Sequence, residues 1–155
     1  MASNVDARLK DLGITIPDAP APAANYVPYT VSGNLVFVSG QVPFVDGKLT
    51  ATGRIGESAT PGEGYEQARI CAINLIAQVK AACDGDLDRV VRVVKLGGFV
   101  ASTPDFTQQP AVVNGASDLM VAAFGDAGKH ARFAVGTSVL PLGCLVEVDG
   151  VFEIS

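Results

Sequence analysis

The sequence predicts a two-layer α/β sandwich in which two helices cover one face of a mixed sheet. Residues 61–82 and 109–124 repeat apolar residues every three or four positions, as one face of a helix does. Five shorter segments are rich in β-branched residues and bounded by Gly, Asn, Asp or Pro, which is typical of strands. The resulting order β-β-α-β-α-β-β gives two helices on one sheet, with parallel neighbours across the helices and antiparallel neighbours in the hairpins.

The first 25 residues are expected to form an N-terminal extension (1–25) packed on a single domain (26–155). Val5, Leu9 and Leu12 recur at the spacing of one helical face, and Gly13 is expected to end that helix. Prolines then favour an extended chain, because each fixes φ and restricts the residue before it. These prolines are Pro17, Pro20 and Pro22.

The first two strands, 26–31 and 35–42, are predicted to pair as a hairpin because Ser32-Gly33-Asn34 supplies a turn between them. Asp46-Gly47 predicts a second tight turn. The first long helix is expected over 61–82, with Thr60 as its N-cap and Pro61 at its first position. The second is expected over 109–124, where Gly125 ends it.

The remaining strands are predicted over 90–100, 131–139 and 145–154. Alternation in the last strand places Val146, Val148, Phe152 and Ile154 on one face and Glu147 on the other. In the preceding strand it places Phe133, Val135, Thr137 and Val139 opposite Arg132. If the apolar faces meet the helices, Arg132 and Glu147 share the uncovered face. Other subunits are expected to cover that face, which has small and apolar residues.

Composition restricts the function further. The 155 residues are 48% apolar and 17% charged, with a formal net charge of −5, so a folded domain is expected and no basic surface for nucleic acid is visible. No apolar run reaches a membrane-spanning length and no signal peptide is recognisable, so a cytoplasmic location is expected. The three cysteines have no metal-ligand or disulfide spacing, and no metal or organic cofactor is expected. The single histidine, His130, is expected to face solvent.

Two charges interrupt apolar runs near the C-terminus: Arg132, and Glu147 between two valines. Burying an unpaired charge is costly, so each is expected to have a partner or a ligand. The planar fork of an arginine matches a carboxylate, and a glutamate can orient a water or move a proton. The pair therefore indicates a site for an acidic substrate that reacts with water. A structural Arg132–Glu147 ion pair is the alternative.

The chain resembles the Rid (YjgF-like, reactive intermediate deaminase) family over residues 21–154. The family's motifs occur in order across one domain of this length. They are Pro28-Tyr29, Val38-Ser39-Gly40-Gln41-Val42-Pro43, Asp105-Phe106, Val113-Asn114, Ala131-Arg132-Phe133-Ala134-Val135, Leu140-Pro141 and Val146-Glu147-Val148. The resemblance implies a chorismate-mutase-like sandwich that assembles as a homotrimer, with the sheets lining a central barrel and the sites between subunits.

The resemblance also implies an enzyme that hydrolyses reactive 2-imino acids and their enamine tautomers to 2-keto acids and ammonia. It implies that Arg132 grips the substrate carboxylate and that Glu147 positions a water. The family's substrate-binding positions correspond to Tyr29, Ser39, Gly40 and Asn114.

This chain departs from the family where many imine-active members have Arg-Ser-Cys, because Ala134 stands at the cysteine position. A regulatory trimer that binds a small carboxylate without turnover therefore remains an alternative. A single-strand-specific endoribonuclease is a third function class attached to the family. The acidic composition and the single histidine oppose it.

Overall fold

The computed structural model describes residues 3–21 and 24–155, so that Pro22 of the predicted extended segment lies outside the described residues. Two long helices and one short helix accompany a five-stranded sheet and a two-stranded hairpin. The helices are α1 (Asn4–Asp11), α2 (Pro61–Ala82) and α3 (Gln109–Phe124). The strands are β1 (Tyr29–Ser32), β2 (Leu35–Gln41), β3 (Phe44–Val45), β4 (Lys48–Leu49), β5 (Val90–Ala101), β6 (Ala131–Thr137) and β7 (Val146–Ile154).

The sheet is mixed, as predicted. Its strands lie in the order β1-β2-β7-β5-β6, with β5 and β6 parallel and the other neighbours antiparallel. The turn predicted at Asp46-Gly47 is confirmed: both residues have positive φ, 51° and 77°, and they join β3 to β4. Strand β1 begins three residues later than expected. The Tyr26 N–H bonds to the Ala24 carbonyl in a turn, and Pro28 has no N–H for a ladder.

Helices α2 and α3 begin and end where the apolar period predicts. A capping box starts α2: the Thr60 hydroxyl accepts from the Glu63 N–H at 3.2 Å, and the Glu63 carboxylate accepts from the Thr60 N–H at 2.9 Å. Both helices cover one face of the sheet, and β7 turns Val146, Val148 and Phe152 towards them, all fully buried. The predicted two-layer sandwich is therefore confirmed.

The predicted face assignment of β6 is wrong. Arg132, Ala134 and Gly136 pair in register with Leu96, Gly98 and Val100, which are buried on the helix side of β5. Phe133 and Val135 lie on the open face instead, where the Phe133 ring meets Phe99 edge-on with centroids 5.3 Å apart.

The physical reason is the close approach of α3 to this edge strand. A Cβ at Gly136 would lie 2.8 Å from the side-chain nitrogen of Gln109 at the start of α3 and 2.7 Å from the Ser102 hydroxyl, so glycine suits this position on the helix side. The bulky residues of β6 therefore occupy the other face. Arg132 reaches out beside the helix, which a long side chain at a sheet edge can do.

Hydrogen bonds join the start of helix α1 to the segment before β5. The Asp88 carboxylate accepts from the N–H groups of Asn4 and Val5 at 2.9 and 3.1 Å. Val5 and Leu9 are buried in the core, whereas Leu12 is 41% exposed and does not continue their face as predicted. Within the described residues, no helix has both the length and the apolarity needed to cross a bilayer.

Candidate functional site between the open sheet face and its edge

Arg132 is a half-buried cation held by neutral groups. Its Nη1 donates to the Ser117 hydroxyl at 3.0 Å, and its Nη2 donates to the Pro110 carbonyl at 3.3 Å. Across residues 3–21 and 24–155, no carboxylate lies within ion-pair distance of its guanidinium. The alternative of a structural Arg132–Glu147 ion pair is therefore wrong for the single chain. The positive charge remains available for an anionic ligand.

Two residues of α3 bind this guanidinium, and His130 of the following loop joins them through Ser117. Pro110, Asn114 and Ser117 recur at helical spacing, so Asn114 lies on the same face of α3 as the two groups that Arg132 contacts. His130 is half-buried rather than solvent-facing as expected, and both of its ring nitrogens have partners. Nδ1 lies 2.6 Å from the Gly128 carbonyl, and Nε2 lies 2.8 Å from the Ser117 hydroxyl.

Glu147 lies on the open face of β7, against Gly40 of β2. A Cβ at Gly40 would collide with the Glu147 carboxylate, so this approach requires glycine. A cavity of about 320 Å³ opens beside the carboxylate. Its lining includes Tyr26, Pro28, Gly40, Gln41, Leu142 and Glu147.

The electrostatics around Glu147 favour its protonated form more than water does. Burial raises the pKa of the Glu147 carboxyl, and the nearby Asp149 raises it further. Burial also raises the pKa of Asp149, although the Gly97 N–H and Lys95 oppose that shift. A carboxylate with a raised pKa beside a cavity is suited to accept a proton from water.

The other predicted binding residues lie around the same end of β2. The Ser39 hydroxyl donates to the Val27 carbonyl at 2.9 Å, which fixes the chain entering β1. Gly40 lines the cavity. Tyr29 pairs with the buried Val38 and packs against the core from the helix side of the sheet, away from the Glu147 carboxylate.

The structure therefore divides the predicted residues into two groups. Arg132 and Asn114 lie at the β6 edge, on the helix side. Glu147 and Gly40 lie on the open face. Phe99 of β5 lies opposite Glu147 of β7 on one side and opposite Val135 of β6 on the other. Arg132 comes three residues before Val135 in β6. It is therefore two strands away from Glu147 and displaced by three residues along the strand direction. These offsets put their Cα atoms on the order of 14 Å apart. With the two side chains on opposite faces, one copy of the chain does not bring them together.

Two polar residues of these groups were missed from the sequence, Ser117 and His130, which belong with Arg132. Nothing local in the sequence links Ser117 to His130. Asp149 belongs with Glu147, as the alternation of β7 predicts. Over the described part of the chain, no three His, Cys, Asp or Glu side chains come together as metal ligands.

The fold and these residues define a YjgF/chorismate mutase-like protein, and comparison with known proteins agrees. Residues 6–154 match the family model described as "YjgF/chorismate_mutase-like, putative endoribonuclease", so the chain belongs to the YjgF/Rid family. It is 51% identical to protein TCP17 of Trypanosoma cruzi over 155 residues, which are 99% of this chain and 96% of that protein.

Two solved structures resemble it closely. One is the protein Atu1372 of Agrobacterium tumefaciens, with a TM-score of 0.92 and 49% identity, covering 97% of this chain and 92% of that one. The other is a protein of Shewanella oneidensis described as "a putative endoribonuclease", with a TM-score of 0.93 and 36% identity, covering 97% of this chain and 99% of that one.

Proposed function

We propose that this protein hydrolyses reactive 2-imino acids and their enamine tautomers to 2-keto acids and ammonia. The observation that supports this most is the state of Arg132, a half-buried cation whose side-chain partners are a hydroxyl and a carbonyl. Such a cation offers two-pronged binding to a substrate carboxylate. Membership of the YjgF/Rid family supports the same substrate class.

The proposed reaction adds water across the C=N bond. Glu147 takes a proton from the water as its oxygen attacks C2, and passes that proton to the imine nitrogen as the double bond opens to give a carbinolamine. The same carboxylate then takes the proton of the C2 hydroxyl and delivers it to the leaving nitrogen. Ammonia departs as the C2–N bond breaks, and the C2 oxygen becomes the carbonyl of the 2-keto acid. No cofactor takes part in the proposed steps.

The proposed site lies between copies of the chain. Because Arg132 and Glu147 occupy opposite faces of one sheet, a single site containing both requires the Arg132 edge of one copy to approach the Glu147 cavity of another. We propose a homotrimer in which the open sheet faces meet inside the assembly. Tyr29, Ser39, Gly40 and Asn114 then contribute to substrate binding from the two sides.

A coupled assay tests this proposal. An amino-acid oxidase generates a panel of 2-imino acids, and the added rate of 2-keto acid formation is measured with and without this protein. Arg132→Ala is expected to lose on the order of 2–3 kcal/mol of carboxylate binding, since it removes a charge-assisted pair. Arg132→Lys keeps the charge but loses the fork, so it is expected to be impaired as well.

The matched control is Arg69→Ala, which removes another half-buried arginine, from α2, and is expected to keep the wild-type rate. Unchanged turnover in both Arg132 variants, with assembly intact, would contradict the proposed role of Arg132.

Binding without turnover is the second candidate, and Ala134 favours it. Ala134 packs half-buried against the core at the position of the family cysteine, so the site has no thiol there. A wild-type protein that binds 2-keto acids but accelerates no imine in the panel would establish this candidate. Salt-dependent binding of single-stranded RNA would instead support an endoribonuclease.

A further inference from the structure

A directional chain of hydrogen bonds runs from Arg132 back to the loop before β6. Arg132 Nη1 lies 3.0 Å from the Ser117 hydroxyl, which lies 2.8 Å from His130 Nε2. His130 Nδ1 lies 2.6 Å from the Gly128 carbonyl oxygen. The chain connects α3, the loop and the edge strand at one point.

Only one assignment of protons satisfies every member with a neutral imidazole. The Gly128 carbonyl can only accept, so His130 Nδ1 carries a hydrogen and Nε2 is left as the acceptor. The Ser117 hydroxyl then donates to Nε2 and turns a lone pair towards Arg132. A guanidinium can only donate, so this lone pair is what its Nη1 requires.

The Gly128 end of this series of hydrogen bonds is closely packed. A Cβ at Gly128 would collide with the Met120 carbonyl and the backbone of Val121, so the loop packs directly on the last turns of α3. Gly128 is buried there, which fixes its carbonyl and, through it, the plane of the His130 ring. Ser117 is fixed by the backbone of α3. Both partners of the hydroxyl–imidazole pair are therefore positioned before any ligand arrives.

We propose that Ser117 and His130 are positioning residues that hold the Arg132 guanidinium in place for a substrate carboxylate; this rests on the function proposed above. Arginine has five N–H groups. Two are bonded to Ser117 and Pro110, and the others remain for the ligand. Pre-ordering a long side chain lowers the entropy that binding must otherwise lose. Carboxylate binding by Arg132 is therefore expected to depend on a hydroxyl and an imidazole that do not touch the substrate.

The test measures both the Kd for a 2-keto acid, with pyruvate as the probe, and the KM and kcat for imine hydrolysis. Ser117→Ala is expected to raise Kd and KM about tenfold, the effect of one lost charge-assisted hydrogen bond. The kcat is expected to stay within about twofold, because a carboxylate is bound equally in the ground state and the transition state.

Two further comparisons separate positioning from general structural damage. His130→Gln retains a carbonyl that can accept from Ser117, whereas His130→Leu does not, so the Gln variant is expected to bind pyruvate more tightly. In an Arg132→Ala background, Ser117→Ala is expected to cause no additional loss, because the two residues act through one contact. Ser32→Ala, at the exposed end of β1, is the matched serine control and is expected to behave as wild type.

Each outcome of these measurements supports or contradicts the positioning role. If Arg132→Ala weakens pyruvate binding while Ser117→Ala and His130→Leu do not, the positioning role is wrong. The proposed role of Arg132 in binding the carboxylate is then retained. A fall in kcat at constant KM in Ser117→Ala, or an added loss in the Arg132→Ala background, also overturns it. If Arg132→Ala leaves pyruvate binding unchanged, the proposed function itself fails.

Discussion

At the scale of single residues, the site depends on how neighbours modify two charged groups. Arg132 is held by a hydroxyl and a carbonyl, and no carboxylate in the described part of the chain pairs with its charge. Glu147 is half-buried next to Asp149, and both burial and the like charge raise the pKa of its carboxyl. The first group is suited to binding an anion, and the second to exchanging a proton with water.

Glu147→Gln is expected to lower imine turnover by about 10²–10⁴-fold, the usual effect of removing a general base. Glutamine keeps the shape of the side chain, so 2-keto acid binding through Arg132 is expected to change far less. Steady-state kinetics and direct binding of pyruvate measure the two effects separately. A Glu147→Gln protein with the full hydrolysis rate would show that Glu147 acts only in packing or assembly.

Asp149→Asn is expected to shift the acid limb of the pH–rate profile to lower pH. Asp149 raises the pKa of the Glu147 carboxyl, so removing its charge lowers that pKa. A general base must be deprotonated, and a lower pKa keeps it deprotonated at a lower pH. The profile of kcat/KM against pH measures the shift. The proposed role of Glu147 is contradicted if the acid limb stays in place or moves to higher pH.

At the scale of elements, the close contact between α2 and α3 depends on a glycine, which has no side chain. A Cβ at Gly115 of α3 would collide with the Tyr65 carbonyl of α2 and press on the Ala68 methyl. The Tyr65 hydroxyl also donates to the Asp118 carboxylate at 2.7 Å, joining the same pair of helices. This close contact positions α3, and therefore positions the face of α3 that surrounds Arg132.

Gly115→Ala is expected to destabilise the fold by about 1–3 kcal/mol, because overpacking forces the helix backbones apart. The matched control is Gly62→Ala in the first turn of α2, where the nearest neighbour of the added Cβ is the Thr60 hydroxyl at 3.9 Å. That change is expected to stabilise the protein by about 0.5–1 kcal/mol through helix propensity. Thermal or urea unfolding of both variants measures the contrast. Equal stability of the two variants would show that the helices accommodate the methyl group.

At the scale of the whole molecule, the open face of the sheet indicates assembly. It exposes Phe37, Phe99 and Val135 at 45%, 40% and 42% of their surface, next to the half-buried Phe133. Several large apolar side chains exposed on one face commonly mark an interface. An assembly through this face also allows the Arg132 edge of one copy to meet the Glu147 cavity of another.

Light scattering is therefore expected to give about three times the 15.9 kDa chain mass. Phe37→Arg is expected to shift the protein towards the monomer, because it places a charge inside the apolar interface. The control is Leu12→Arg at the end of α1, where a side chain of similar exposure, 41%, lies away from the sheet. It is expected to leave the mass unchanged. A wild-type protein that is a stable monomer at micromolar concentration would contradict both the trimer and the shared site.

The sequence by itself determined the elements and their order. The bounds of α2 and α3 follow from the apolar period and from terminal residues such as Thr60, Pro61 and Gly125, whose effects are local. The burial of Val146, Val148 and Phe152 follows from alternation in β7. This strand lies between β2 and β5 in the sheet, and the helices cover one of its faces. The family motifs also predicted Arg132, Glu147 and Gly40 as site residues before any contact was known.

Only the tertiary structure decided on which face of the sheet Arg132 lies. Alternation divides the residues of a strand into two sets but does not say which set meets the helices. In β6 the bulky apolar set faces outward, whereas Ala134 packs on the core and Gly136 lies against the side chains of Gln109 and Ser102 on the helix side. The contact of Ser117 with His130 and Arg132 arises from the same approach of helix to strand. Contacts of this kind join residues far apart in the chain, and no local pattern specifies them.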